Sequence, residues 1–410
     1  MRILLVTHYF PPEIGAPQAR LSEIARAWAA DGDDVTVLTG MPNHPTGVIP
    51  PAYRRKIRAV EQIDGYMVTR SWLYATPNEG FVKKTLGHLS FMVTSVLIGT
   101  RQSGPADVVV VSSPTFFSIF GAWVIAKLKR APLVVEVRDL WPAIFVELGV
   151  LTNRRLISIL ERLELWAYAQ AAEVVVVSDG FRKNLIKRGV PEEKVTTLRN
   201  GADIDRFVPG DDPLAGRIRL GVKDGEVLAL YIGAHGISHG LDAVLDAAAL
   251  VEKSNELPVR FALVGEGANR SALLEHAERL GTTNLTMHRG VPREEVPELL
   301  AAADICIVAL RDVALFSTFI PSKIFEYFAS GKAVVGAVRG EAAAILEEAG
   351  ALVVKPEDPP ALAAAITELA KDPDRRARMG DQARRYVSDN FNRRELAAQY
   401  RRILARCARS

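Results

Sequence analysis

Uninterrupted short runs of Val, Ile and Leu alternate along this chain with longer stretches in which apolar residues return every three or four positions. Runs with no polar face suit parallel strands covered on both sides, and the longer period suits the covering helices. In the first half the pattern predicts strands at 2–7, 34–39, 66–71, 107–112, 133–138, 173–178 and 195–198, with helices at 17–30, 116–129, 153–169 and 180–188. The pattern restarts near Asn200-Gly201, after which 203–214 is polar and turn-rich, with Pro209-Gly210-Asp211-Asp212-Pro213 at its end. Strands at 227–232, 260–264, 285–289, 304–309, 333–337 and 351–354 follow, with helices at 241–252, 269–280, 293–302 and 341–348. Helical segments at 360–370, 373–390 and 393–409 finish the chain. The predicted fold class is therefore α/β, with two Rossmann-like, doubly wound parallel-sheet domains at 1–200 and 201–390. Residues 391–410 form a basic C-terminal helix suited to pack back on the first domain. Two such domains leave a cleft, with loops from the carboxyl ends of both sheets expected to face it.

Composition narrows the class. A chain of 410 residues supports two cores of ordinary size, and 24% charged residues fit a globular enzyme. A formal net charge of +3 implies no global nucleic-acid footprint. The two cysteines, Cys306 and Cys407, are far apart in sequence, which fits a reducing cytosol and gives neither a disulfide framework nor a cysteine metal site. Ile3-Leu4-Leu5-Val6 is too short for a signal sequence, and the run Leu86–Thr100 falls short of the roughly 20 residues that span a bilayer. A cytoplasmic location is expected, with peripheral attachment to the inner membrane face as an addition. Tyr53-Arg54-Arg55-Lys56-Ile57-Arg58 and Phe81-Val82-Lys83-Lys84, leading into Leu86–Thr100, mix cations with apolar side chains, as an anionic membrane surface would require. The same residues also fit a core helix behind a solvated basic loop.

The chemistry is sought in the loops that follow strands. Pro321-Ser322-Lys323 is expected to open a helix with Pro321 at its first position, leaving free N–H groups, a hydroxyl and a cation for an anion. Glu326, one turn deeper, suits a pair of sugar hydroxyls; the plainer alternative is a Lys323–Glu326 surface pair. Gly233-Ala234-His235-Gly236-Ile237-Ser238-His239-Gly240 has the glycines for backbone contact with phosphate but lacks the ending of a nucleotide-binding P-loop. His235 and His239 have no third ligand beside them, so no metal site is expected. Gly265-Glu266-Gly267 and the turn at Gly290-Val291 are placed to touch a base or ribose. In the first half, Gly15 in Tyr9-Phe10-Pro11-Pro12-Glu13-Ile14-Gly15 lets a phosphate approach the backbone or marks a simple turn. Asp139 in Arg138-Asp139-Leu140-Trp141-Pro142 either orients a sugar and accepts a proton or pairs structurally with Arg138 beside a Trp packing plate. Glu136 is a weaker candidate on the same strand. Asp203-Ile204-Asp205 is read as turn chemistry rather than a metal motif.

Taken in order, these loops resemble those of the retaining GT-B glycosyltransferases of family 4, over nearly the whole chain. Within that family the chain is most similar to bacterial transferases of cell-surface polysaccharide assembly that move N-acetylated deoxyhexosamines, such as the N-acetyl-L-fucosamine transferases. The resemblance implies a nucleotide sugar, UDP-linked, held mainly by the second domain. Glu326 would bind the ribose and Lys323 with Ser322 the diphosphate. Gly233 and His239 would lie along the donor, Gly265, Glu266, Gly267 and Val291 near the base, and Gly15 would close from the other domain. Asp139, Lys323 and Glu326 become the catalytic candidates, with Glu13, Arg138, Trp141 and Asn200 orienting sugar or acceptor. Transfer with retention to a lipid-linked or saccharide acceptor, with no cofactor or metal and no nucleic acid, is what the family implies. The chain departs from the family pattern at Thr318, where the first Glu of a Glu-x7-Glu pair usually stands. It departs also at Ala234 and His239, where Arg and Lys usually reach the diphosphate, and many relatives have a histidine where Asp139 falls. A sugar-nucleotide epimerase and a non-catalytic subunit of an assembly complex are the alternatives.

Overall fold

The computed structural model describes every residue except Ile14, Pro45, residues 77–80, Pro114, Asp211 and Ser410, and the side chains of Ala16, Phe81 and Val82. Thus Ile14 of the first loop, Asp211 of the proline-rich turn and the Phe81 and Val82 side chains of the expected membrane patch lie outside the described residues. The chain divides into two units, Met1–Arg199 with Arg394–Ser410, and Asn200–Arg393.

The first unit is built on eight strands: β1 (Arg2–Val6), β2 (Asp34–Gly40), β3 (Arg58–Ile63), β4 (Tyr66–Ser71), β5 (Val108–Ser112), β6 (Leu133–Val137), β7 (Glu173–Val176) and β8 (Val195–Thr197). Their order is β3-β4-β2-β1-β5-β6-β7-β8, parallel except for the antiparallel β3–β4 pair. Central strands β5 and β6 are buried at every position, which explains their unbroken apolar sequence. β3 was not among the expected strands. It lies at the sheet edge and alternates exposed and half-buried side chains, so its Arg58, Glu61 and exposed Val60 read as loop. The apolar run at 86–100 is helical: Phe81–Thr94 continues through a wider π turn at Ser95–Gly99.

Helix Arg393–Arg409 belongs to this first unit except for its first residue. Its Leu396, Ala397, Tyr400, Ile403, Leu404 and Cys407 recur at helical spacing and bury among Ile3, Leu5, Trp28, Val108 and Val134. The Trp28 indole N–H donates to the Ala397 carbonyl at 2.9 Å, and Arg401 reaches Asp33 at 2.5 Å. A buried ion pair lies on the same sheet. Arg20 donates to Glu136 at 2.9 Å and 3.0 Å, and Ser112 donates to the other carboxylate oxygen at 2.7 Å. Glu136 is therefore a structural counter-ion: burial pushes its pKa up, but Arg20 and Arg138 outweigh that effect and hold it down.

The second unit carries six parallel strands: β9 (Val227–Ile232), β10 (Val259–Val264), β11 (Leu285–His288), β12 (Ile305–Ala309), β13 (Ala333–Ala337) and β14 (Leu352–Val354). The order β11-β10-β9-β12-β13-β14 reverses direction at β9–β12, the switch point where a doubly wound sheet opens a crevice at its strand ends. A core of Tyr231, Val244, Phe261, Leu263, Ile307, Val335, Ile366 and their neighbours fills one face of this sheet, under the helices Asp242–Ser254 and Pro359–Lys371.

Candidate active site

The loops after β9, β10 and β11 and the helix after β12 converge in the second unit. The loop after β9 needs its glycines. Gly233 sits at φ +148, and a Cβ there would lie 2.6 Å from the Lys323 ammonium. A Cβ on Gly265 would collide with the Gly233 carbonyl and lie 2.9 Å from the His235 ring, so the first turn after β10 packs tightly on the loop after β9. The His235 N–H donates to the Glu266 carbonyl at 2.8 Å, and the Asn269 N–H donates to the His235 carbonyl at 2.9 Å. His235 is fully buried and wedges these two loops together, which is its role here rather than metal binding. Gly290 would place a Cβ 3.4 Å from the Glu266 side chain, so the turn with Val291 adjoins the same loop.

Helix Lys323–Ala329 is short, with Ser322 at the position just before it and no side-chain cap. Pro321 thus precedes the helix rather than opening it, a correction to the sequence reading. The first backbone turn is tight there, with the Phe325 N–H donating to the Ser322 carbonyl at 3.2 Å. Tyr327 docks this helix on β9: Ile232 N–H donates to its hydroxyl at 3.0 Å, and the hydroxyl donates to the Ile232 carbonyl at 3.1 Å. Lys323 folds over the Tyr231 ring, its nitrogen 3.6 Å from the centroid, and has no hydrogen-bond partner among the described residues. Burial lowers its pKa well below the ordinary lysine value, with Glu326 acting in the opposite sense. Beside it, burial and the Lys323 charge push His239 down to about 3, so His239 is neutral and its imidazole lies near the Gly236 carbonyl. The alternative Lys323–Glu326 surface pair does not form. Glu326 instead accepts from Arg293 at 2.8 Å, a residue 33 positions earlier that sequence periodicity placed merely at a helix start. Thr318 closes a 3-10 turn, its hydroxyl donating to the Leu315 carbonyl at 2.7 Å.

In the first unit the candidates divide. Asp139 follows β6, and its carboxylate makes no hydrogen bond among the described residues. Burial pushes its pKa up to about 6, although Arg138 pulls it down. Arg138 is half-buried, its Nε and Nη1 are buried without a partner among the described residues, and burial lowers its pKa. Trp141 stacks on Phe116 at 5.0 Å and 10°, inside a cluster with Leu151 and Leu160, the packing plate weighed as the alternative to orienting a sugar. Glu13 is buried and engaged by backbone. Its carboxylate accepts the N–H groups of Phe10 at 3.0 Å and of Asn43 and His44 at 2.8 Å, stapling the loops after β1 and β2. Burial still raises its pKa to about 7 against those three donors. The Gln18 amide lies over the Cβ side of Gly15, its oxygen 2.5 Å from where an added Cβ would stand. Asn200 is buried at the first position of the second unit. Among the described residues, no three His, Cys, Asp or Glu side chains converge as a metal would need.

Glycine loops interlocked beside a lysine whose ammonium is buried without a hydrogen-bond partner among the described residues, at the switch point of one of two doubly wound units, fit the GT-B class of glycosyltransferases. The comparisons agree: the glycosyl transferase 4-like domain matches residues 15–201, and the glycosyl transferases group 1 domain matches residues 216–386. The chain is a glycosyltransferase of GT-B fold, of the hexosyltransferase class. It is 26% identical over 411 residues to Escherichia coli (strain K12) WcaI, provisionally named a colanic acid biosynthesis glycosyl transferase, covering 98% of each protein. Among solved structures it resembles the sucrose-phosphate synthase of Thermosynechococcus elongatus, with TM-score 0.76 and 19% identity over 99% of this chain and 100% of the other. It also resembles Anabaena HepE in complex with UDP and glucose, with TM-score 0.74 and 19% identity over 99% of each. The epimerase and binding-subunit alternatives are not favoured by these findings.

Proposed function

We propose that the enzyme moves an N-acetylated hexosamine or deoxyhexosamine, such as N-acetyl-L-fucosamine, from its UDP-linked donor to a lipid-linked or saccharide acceptor of bacterial surface polysaccharide, with retention. The observation that carries the donor assignment is Lys323: a buried ammonium without a hydrogen-bond partner among the described residues, beside glycine-cleared backbone, suits a diphosphate. As the bond to the anomeric carbon breaks, charge grows on the leaving phosphate oxygen, where Lys323 and the backbone N–H groups of the Gly233 loop stabilise it. In this reading no divalent cation is needed, Ser322 assists at the diphosphate, Glu326 holds the ribose, and Val291 with the Gly265–Gly267 turn lies by the base. Asp139 acts in its ionised form on the sugar or acceptor. The UDP of HepE supports the choice of base, and WcaI supports the polysaccharide setting. A thermal-shift screen of UDP-, GDP- and dTDP-sugars, followed by radiolabelled transfer with the stabilising donor, tests the reading. Stabilisation by a UDP-N-acetylamino sugar is expected; stabilisation by none would sink it.

Attachment to an anionic membrane surface from the cytoplasmic side is part of the same proposal. Ile57 is 70% and Leu97 65% exposed, and they line one surface groove with Arg58 and Arg101. No helix among the described residues is long and apolar enough to cross a bilayer. The protein is expected to float with vesicles containing anionic phospholipid and not with neutral ones, and Ile57→Glu with Leu97→Glu should abolish flotation. Absence of flotation even at low salt would remove the membrane from the proposal.

A further inference from the structure

Arg293 is not accounted for by any role above, although it makes the closest ionic contact in the donor loops. It starts the turn Arg293–Glu295 that follows β11, and its Nη1 donates to Glu326 Oε1 at 2.8 Å. Its guanidinium carbon stands 5.2 Å from the centroid of the Phe207 ring, and Phe207 is fully buried. The guanidinium is thus fixed from two sides, by a carboxylate and by an immobile aromatic face. Both side chains are largely withdrawn from water, at 20% and 15% exposure, so the pair is more than a screened surface contact. The other oxygen of Glu326 has no partner among the described residues. Lys323, one turn earlier on the same helix, is turned away over Tyr231 and does not compete for the carboxylate.

We propose that Arg293 is a positioning residue: it occupies one oxygen of Glu326 and thereby aims the other at the ribose diol of the nucleoside diphosphate. This rests on the donor-site reading above. A free glutamate on a helix samples several rotamers, each of which must be given up when a diol binds. The Arg293 hydrogen bond removes that freedom beforehand, and because Arg293 is two residues beyond Val291, it ties the turn beside the base to the carboxylate at the ribose. The signature is chemical: what Arg293 contributes should depend on the two ribose hydroxyls and on nothing else in the ligand.

Calorimetric titration with UDP and with 2′,3′-dideoxyuridine diphosphate tests this, with the GDP pair run in parallel, on the wild type, Arg293→Met, Arg293→Lys and Glu326→Ala. Arg293→Met is expected to weaken UDP about tenfold while changing the dideoxy ligand less than about twofold, the loss set by one charged hydrogen bond. Arg293→Lys should restore part of the difference, since a point charge reaches the carboxylate without the fork. Equal weakening of both ligands by Arg293→Met, with its melting temperature lowered, would show a merely structural residue and overturn the proposal. Tighter UDP binding would show that Arg293 competes with the diol, and would overturn it equally. Should Glu326→Ala leave both ligands bound as in the wild type, the donor-site reading itself fails; should Glu326→Ala discriminate between them while Arg293→Met and Arg293→Lys do not, only the role of Arg293 fails.

Discussion

Lys323→Met is expected to give a folded protein whose sugar transfer is reduced about 10³-fold, the cost of removing a buried donor from a developing anion. The loss should appear in kcat as well as in nucleotide affinity, because the ammonium meets charge that increases as the leaving group departs. Stability should move the other way. The Lys323 pKa is lowered in the folded protein, so the folded state holds the proton less tightly than the unfolded chain. That difference costs stability at neutral pH and vanishes only above the unfolded lysine pKa. Methionine keeps the stem against Tyr231 and removes the uncompensated charge, so the melting temperature should be unchanged or higher. An active Lys323→Met enzyme, within tenfold of the wild type, would place the diphosphate elsewhere.

Asp139→Asn is the second large effect, with transfer expected to fall about 10²- to 10³-fold as an ionised group is lost beside the reaction. The wild-type rate should rise with pH through a limb near 6, since burial pushes the Asp139 pKa up to about 6 and the ionised form is the active one. The amide of the variant cannot ionise, so that limb should be missing from the residual activity. The stability sign is opposite to that of a salt-bridged carboxylate. The folded state binds the proton more tightly, so this group's contribution is greatest in acid and is lost as pH rises towards about 6. The Asp139→Asn protein should therefore melt higher than the wild type at neutral pH. A lowered rate with the acidic limb retained would assign the limb to another group and leave Asp139 as loop structure.

The parallel strands were legible because burial on both faces forces Val-rich runs such as Val108–Ser112, and the long amphipathic helices because one face alone meets a core. The edge strand Arg58–Ile63 was not, since half its residues face water. In the site, glycines and Lys323 could be singled out because few side chains fit backbone that must lie close to a ligand. Arg293 could not: its partner is 33 residues away, and nothing local distinguishes it from other surface arginines. The surroundings of Glu13 and Trp141 were hidden for a related reason. The three backbone donors that hold the one and the Phe116 ring stacked on the other are set by the fold rather than by the local sequence.

The helix at Arg393–Arg409 makes completion of the first unit wait on synthesis of the second. Trp28 and its neighbours form a surface that is completed by Ala397, Tyr400 and Leu404, which leave the ribosome only after the whole of Asn200–Arg393. The half of the protein translated first therefore waits with an open apolar seam while the other half, whose strands are contiguous in sequence, can close on its own. Vectorial folding here runs in reverse order of emergence, and a stop codon placed just after the second unit would strike the opposite end of the polypeptide from the one it shortens.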